Sequence, residues 1–223
     1  MTAVFPLGSA FLPGETVVLQ VFEPRYRRML DDLRSTGSDG FVTVLIERGS
    51  EVGGGDKRFE RGVFVHVTDV VDAGGVLVVR GTAGEPTEIV SWQDDDPYPR
   101  AETRPVGWAP VTQAVARDCA SAVTLLAQSV RSLLARHGLS DAGALHPHAV
   151  ALATVASGHW FGSDVTLPEL EKAYWAAARS VPCGPLDRHR LLCAGSAPDA
   201  VRALRSVVEH TDEILAFGMR DER

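Results

Sequence analysis

Side chains of catalytic or ligating type come together at four places in this chain. The first is Gly53-Gly54-Gly55-Asp56-Lys57-Arg58. Glycines ahead of a lysine can cradle a phosphate, but that chemistry needs a Ser or Thr after the lysine and a helix N-terminus behind it. Neither is present, so the segment reads as a flexible hairpin loop. The other lysine, Lys172, sits in a helical pattern near Glu169 and Glu171, with no serine to pair with. The second place gathers His146, His148, Cys183, His189 and Cys193. Their spacing matches no zinc finger or ribbon, so neither a metal nor any other cofactor is expected. The third holds Ser157-Gly158-His159 with Asp164, the parts of a triad on paper. A triad is defined by geometry, and there is no Gly-x-Ser-x-Gly elbow to support one. The fourth is Asp94-Asp95-Asp96. Clustered carboxylates suit a hard cation or a basic peptide, but three in a row lack a ligand rhythm and read as a solvated turn. No catalytic residue is assigned, and the expectation is a non-catalytic protein.

The elements that would carry these residues change character near the middle of the chain. Pro13-Gly14 suits a turn, and Thr16 to Phe22 is a β-branched and apolar run of the kind a buried strand requires. Pro24 fits the first turn of a helix on which Tyr26, Met29, Leu30 and Leu33 share one face, and Gly37 is a stop. Phe41 to Ile46 is a compact apolar run. Val63, Val65, Val67 and Val71 alternate onto one face of a strand opposite His66 and Thr68, and Asp72-Ala73-Gly74-Gly75 is a hairpin signal. Val76 to Val79, Ile89 to Trp92 and Ala101 to Val106 complete about six short strands, expected to curl into a small sheet. From Val111 onward the period is helical. Val111, Val115, Cys119, Ala122, Leu126, Val130, Leu133 and Leu134 form one stripe that ends near Gly138. Helices follow over 148–161, 167–181, 187–193 and 199–217. The boundary falls in Pro105 to Pro110, which gives a β-rich domain over 1–106 and a helical bundle over 107–223.

Of the 223 residues, 29 are acidic and 22 basic, a net charge of −7. The imbalance lies in the β-rich half. Residues 1–105 hold 17 acidic and 11 basic side chains (−6), and residues 106–223 hold 12 and 11 (−1). This disfavours nucleic acid, whose phosphates call for clustered cations. Three cysteines suit a reducing cytoplasm better than a disulfide framework. The start lacks a signal-peptide pattern and no run of about 18 apolar residues exists, so neither secretion nor a membrane span is expected.

The order of the opening segment carries a resemblance. Phe5-Pro6-Leu7, Phe11-Leu12-Pro13-Gly14, the apolar run and then Glu23-Pro24-Arg25-Tyr26-Arg27-Arg28-Met29-Leu30 resemble the start of the Lon protease N-terminal (substrate-binding) domain family in its stand-alone bacterial form. The Gly-rich loop before Gly62-Val63, the pairing of Pro97-Tyr98 with Ala101-Glu102, and the stretch from Pro182 to Leu191-Leu192 extend the likeness over nearly the whole chain. Two stretches depart from it. Thr82-Ala83-Gly84-Glu85-Pro86 stands where the family has a basic-aromatic stretch and is expected to be an irregular edge. Ala73-Gly74-Gly75-Val76 replaces an Asp-Gly-Arg turn.

The resemblance implies an α+β fold: a PUA-like small β-barrel or curled sheet with one inserted helix, followed by a helical bundle. It also implies a non-catalytic module that binds protein or peptide, holding unfolded or extended polypeptide by apolar surface and strand edges. The ATPase and serine–lysine protease parts of complete Lon proteases have no counterpart here; no Gly-x-x-x-x-Gly-Lys-Ser/Thr loop occurs. Aromatic anchors bury much area at small entropic cost. Phe11 and Leu12, adjacent and so pointing to opposite faces when extended, place one side chain on an exposed rim beside Tyr26 or Tyr98. Asp94, Asp95 and Asp96 would favour basic residues in the bound peptide. Two alternatives stay open: a small-molecule or RNA-binding PUA-like protein, and an unrecognised hydrolase.

Overall fold

A computed structural model of the chain describes residues 1–49, 57–139 and 146–221, without the side chains of 146–147 and 218–221. It divides into two compact units, Met1–Gly107 and Trp108–Arg223. The glycine loop at 53–56 and the side chain of His146 lie outside the described residues.

The first unit contains β1 (Thr2–Leu7), β2 (Thr16–Val21), helix α1 (Pro24–Thr36), β3 (Gly40–Arg48), β4 (Lys57–Asp72), β5 (Leu77–Trp92) and β6 (Arg100–Pro105). The sheet runs β2-β5-β4-β3-β1-β6, and β6 also pairs with β5. Five strands therefore close on themselves, and β2 hangs on the outside of β5. The turns follow from the residues. Gly74 and Gly75 take φ of 75° and 97° in the β4–β5 hairpin, which Asp72 closes by accepting the Gly75 N–H at 2.8 Å. Glu23 is extended ahead of Pro24 at the α1 N-terminus, and Gly37 ends the helix with φ 67°.

Two expectations for this unit are corrected. Thr82–Pro86 is not an edge but the middle of the continuous 16-residue β5, and the irregularity expected there is a register shift against β4 between Ala83 and Pro86, a place where a missing N–H is tolerated. The alternation of β4 does not hold to its end. A second register shift between Val67 and Asp69 flips the parity, so Val70 packs toward the core and Val71 turns out, 46% exposed.

One core of the unit gathers Phe5, Leu7, Val17, Val21, Tyr26, Met29, Phe41, Val65 and Tyr98; a smaller one joins Val4, Val42, Val44, Ile89 and Ala101. The sheet is tight where β3 meets β4. A Cβ on Gly40 would strike the Val65 carbonyl oxygen, and one on Gly62 would strike that of Thr43.

The second unit holds α2 (Gln113–Arg136), α3 (His146–Ala156), α4 (Leu167–Ala178), α5 (Pro185–Leu192) and α6 (Ala197–Asp221). Thr112 caps α2 by accepting from the Val115 N–H, and Thr166 with Glu169 forms a capping box on α4. The buried face of α2 runs from Ala116 through Cys119, Val123, Leu126 and Val130 to Leu134. Tyr174 is fully buried, donates to the Leu191 carbonyl at 2.9 Å and meets Trp108 edge-on at 5.2 Å. The fold is α+β, a curled barrel-like sheet with one inserted helix and then a helical part.

Candidate functional site

β2 is the strand whose surroundings differ most from what its sequence suggests. It pairs with β5 from Thr16↔Thr82 to Val21↔Leu77 and, among the described residues, has no strand on its other side. Val17, Leu19 and Val21 point into the core, while Thr16, Val18 and Gln20 point out. Val18 is 56% exposed, and Phe22, one step past the strand, is 57% exposed. On the same outer face Val18 lies opposite Arg80 and Gln20 opposite Val78. The edge contains no charge and no proline, the usual devices that stop a strand from accepting another chain.

A cleft of about 170 Å³ is lined by Phe5 and Leu7 of β1, by Val18 to Val21 of β2, and by Phe22, Glu23 and Tyr26 at the entry to α1. Consecutive β2 residues from both faces line it, so it runs along the backbone edge of the strand. Its floor is rigid. Phe5 stacks on Tyr26 with ring centroids 4.0 Å apart, and the Arg25 guanidinium lies 4.5 Å from the Tyr26 centroid. Glu23 holds Arg25 at 3.1 Å, and both side chains are mostly buried. A second groove of about 350 Å³ lies between the end of α1 and β4. Leu30, Leu33, Val67 and Val70 provide apolar walls, and Arg34, Asp39 and Asp69 stand among its charged residues.

Of the residues anticipated at a rim, Leu12, Tyr26 and Tyr98 are buried, Phe11 is half-buried and the three aspartates are exposed. Leu12 is fully buried, with its N–H bonded to the buried Glu15 carboxylate at 2.8 Å; Phe11 is half-buried against the core. Tyr26 is 2% exposed and Tyr98 6%. The Tyr98 hydroxyl donates to Asp32 at 3.1 Å, and burial, followed by that carboxylate, pushes its pKa above the usual tyrosine range. An exposed rim therefore does not fit Leu12, Tyr26 or Tyr98, which the packing of β1, α1 and β5 draws inward. Asp94, Asp95 and Asp96 are exposed. Asp95 is held by Arg58, itself stacked over Trp92, and the Asp96 carbonyl accepts from Arg100 at 2.8 Å. Leu12 and Tyr26, being buried, form no part of a surface with the aspartates. The exposed β2 side chain that sequence reasoning missed is Val18. Its signal was the alternation Thr16, Val18, Gln20, whose polar members mark an outward face.

Elsewhere the apparent chemistry is local. Ser157 donates to Thr154 at 2.7 Å and sits 3.2 Å from His159; among the described residues no carboxylate bonds to that ring. Lys57 pairs with Glu47 at 2.8 Å. Among the described residues no group of three His, Cys, Asp or Glu is arranged to hold a metal, and no helix is long and apolar enough to cross a membrane.

The sequence profile described as the ATP-dependent protease La (LON) substrate-binding domain matches residues 2–209. The chain belongs to this family. Solved Lon N-terminal domains share the fold. A Lon N-terminal domain protein from Xanthomonas campestris is 22% identical, with a TM-score of 0.56 over 93% of this chain and 96% of that one. The N-terminal domain of the Mycobacterium avium complex Lon protease is 15% identical, with a TM-score of 0.60 over 93% and 97%. No curated protein matches the sequence significantly. Membership in the Lon substrate-binding family makes this a substrate-recognition module.

Proposed function

We propose that this chain recognises extended or unfolded polypeptide, which adds as a further strand along the free edge of β2. The family's description, a substrate-binding domain of an ATP-dependent protease, makes polypeptide the natural ligand class. The observation that carries the reading is the edge itself: Thr16–Val21, unpaired on one side among the described residues, uncharged and proline-free, with Val18 and Phe22 exposed beside it. Backbone pairing suits a recognition module because every sequence has a backbone, so it selects for extension and disorder more than for side chains. The cleft along β1 and the exposed Val18 and Phe22 then take apolar side chains of the guest.

The test is the anisotropy of a labelled unfolded polypeptide, such as a reduced and carboxymethylated protein, titrated with the domain. Binding should be saturable, and Val18→Lys should weaken it about tenfold or more, since a lysine is the natural device for closing an edge. A model peptide that binds when unmodified should lose binding when its alternate backbone nitrogens are methylated. Equal affinity of methylated and unmodified peptides would overturn the strand-addition reading.

A further inference from the structure

The helical unit carries a second site, of different chemistry. A cleft of about 620 Å³ opens between α2 and α3 and reaches Ser180 beyond the end of α4. That volume is within the roughly 300–1,000 Å³ of small-molecule sites. One wall is a single face of α2, with Gln128, Arg131, Ser132 and Ala135 at successive helical turns. The facing wall is Ala149, Leu152 and Ala153 of α3. The two walls are kept in place by Gln128, whose side-chain amide donates to the Ala156 carbonyl at the end of α3, at 2.9 Å. Alanines at 135, 149 and 153 are too small to fill the space between the helices, while the buried Leu134 and Leu152 give it an apolar floor.

Arg131 is the only charged side chain among the described lining residues. Unlike Arg136, five residues further on, which pairs with Asp212 at 3.0 Å, Arg131 forms no ion pair among the described residues. A guanidinium at the lip of an apolar cleft, with the Ser132 hydroxyl beside it, matches a carboxylate joined to an aliphatic tail. We infer that this cleft binds a small amphipathic carboxylate of the medium-chain acyl type: the carboxylate lies on Arg131 and Ser132, and the tail on Leu134, Leu152 and the alanines.

Calorimetric titration of the whole chain with octanoate, kept below its micellar range, tests this. One saturable site is expected. Affinity should rise about fourfold for each methylene from hexanoate to octanoate, octanol should bind about tenfold more weakly than octanoate, and octylammonium should bind more weakly still. Arg131→Gln, at an exposed position, should bring octanoate down to the affinity of octanol with the circular dichroism and melting temperature unchanged. Ala153→Phe, which fills the cleft, should remove both. Absence of saturable octanoate binding, equal binding of octanoate and octylammonium, or unchanged octanoate affinity in Arg131→Gln would each overturn the assignment; should Ala153→Phe fail to fold, Arg131→Gln alone decides it.

Discussion

β1 and β2 are both six-residue, mostly apolar strands that begin with threonine, yet they have opposite fates. In β1 the residues from Ala3 to Leu7 are all buried, with β3 on one side and β6 on the other at Thr2 and Ala3. In β2 every second side chain leaves the core and one backbone edge stays unpaired among the described residues. Apolar content does not separate the two; the neighbours do. β1 is held inside the closed ring of strands because β6 returns to β5. β2 is left outside because β5, 16 residues long, passes its edge from β2 to β6 near Ala83. The apolar side chains of β1 go into the core, while the outward half of β2 stays exposed.

Substitutions should separate the two strands most clearly in stability. Phe5→Ala removes a ring stacked on Tyr26 and tilted against Phe41; a loss of about 3–5 kcal/mol is expected in urea denaturation. Gly62→Ala, which drives a Cβ into the Thr43 carbonyl, should cost about 1–3 kcal/mol by overpacking. Tyr98→Phe deletes the bond to Asp32 and should cost about 1 kcal/mol. The same site has a pH signature. The folded-state pKa of Tyr98 lies above its unfolded value, as does that of the deeply buried Tyr174, in both cases chiefly through burial. Their contribution to stability should therefore be complete below about pH 10 and fall away as pH rises further. Denaturation midpoints against pH should show that alkaline decline, and it should be shallower in Tyr174→Phe. Val18→Lys should change stability least, within about 1 kcal/mol, since the β-propensity scale spans no more than that. A large loss there would mean that β2 is a core strand and would erase the contrast with β1.

Much of the architecture was legible in the residues. Pro24 and Gly37 mark the ends of α1, and Asp72 to Gly75 mark the hairpin, because each needs a backbone conformation that few residues accept. The opening order from Phe5 to Leu30 and the later motifs pointed to the family. The site was less legible. Phe11, Leu12, Tyr26 and Tyr98 were picked for size and proximity in sequence, but exposure depends on which strand lies at the edge, and that follows from long-range pairing. Thr16 to Phe22 reads as a buried run if its hydrophobicity is summed, and as an edge only if its faces are separated. The inward turn of Val70 depends on a bulge that alternation alone does not announce.

The most direct test of the account is hydrogen–deuterium exchange across Thr16–Phe22, with and without a saturating unfolded polypeptide. Amides on the free edge should exchange quickly in the isolated domain and become protected when the guest strand pairs with them, while exchange in β1 stays unchanged. Protection elsewhere in the molecule with none over Thr16–Phe22, at a guest concentration shown by anisotropy to saturate binding, would contradict the claim that β2 is the docking edge.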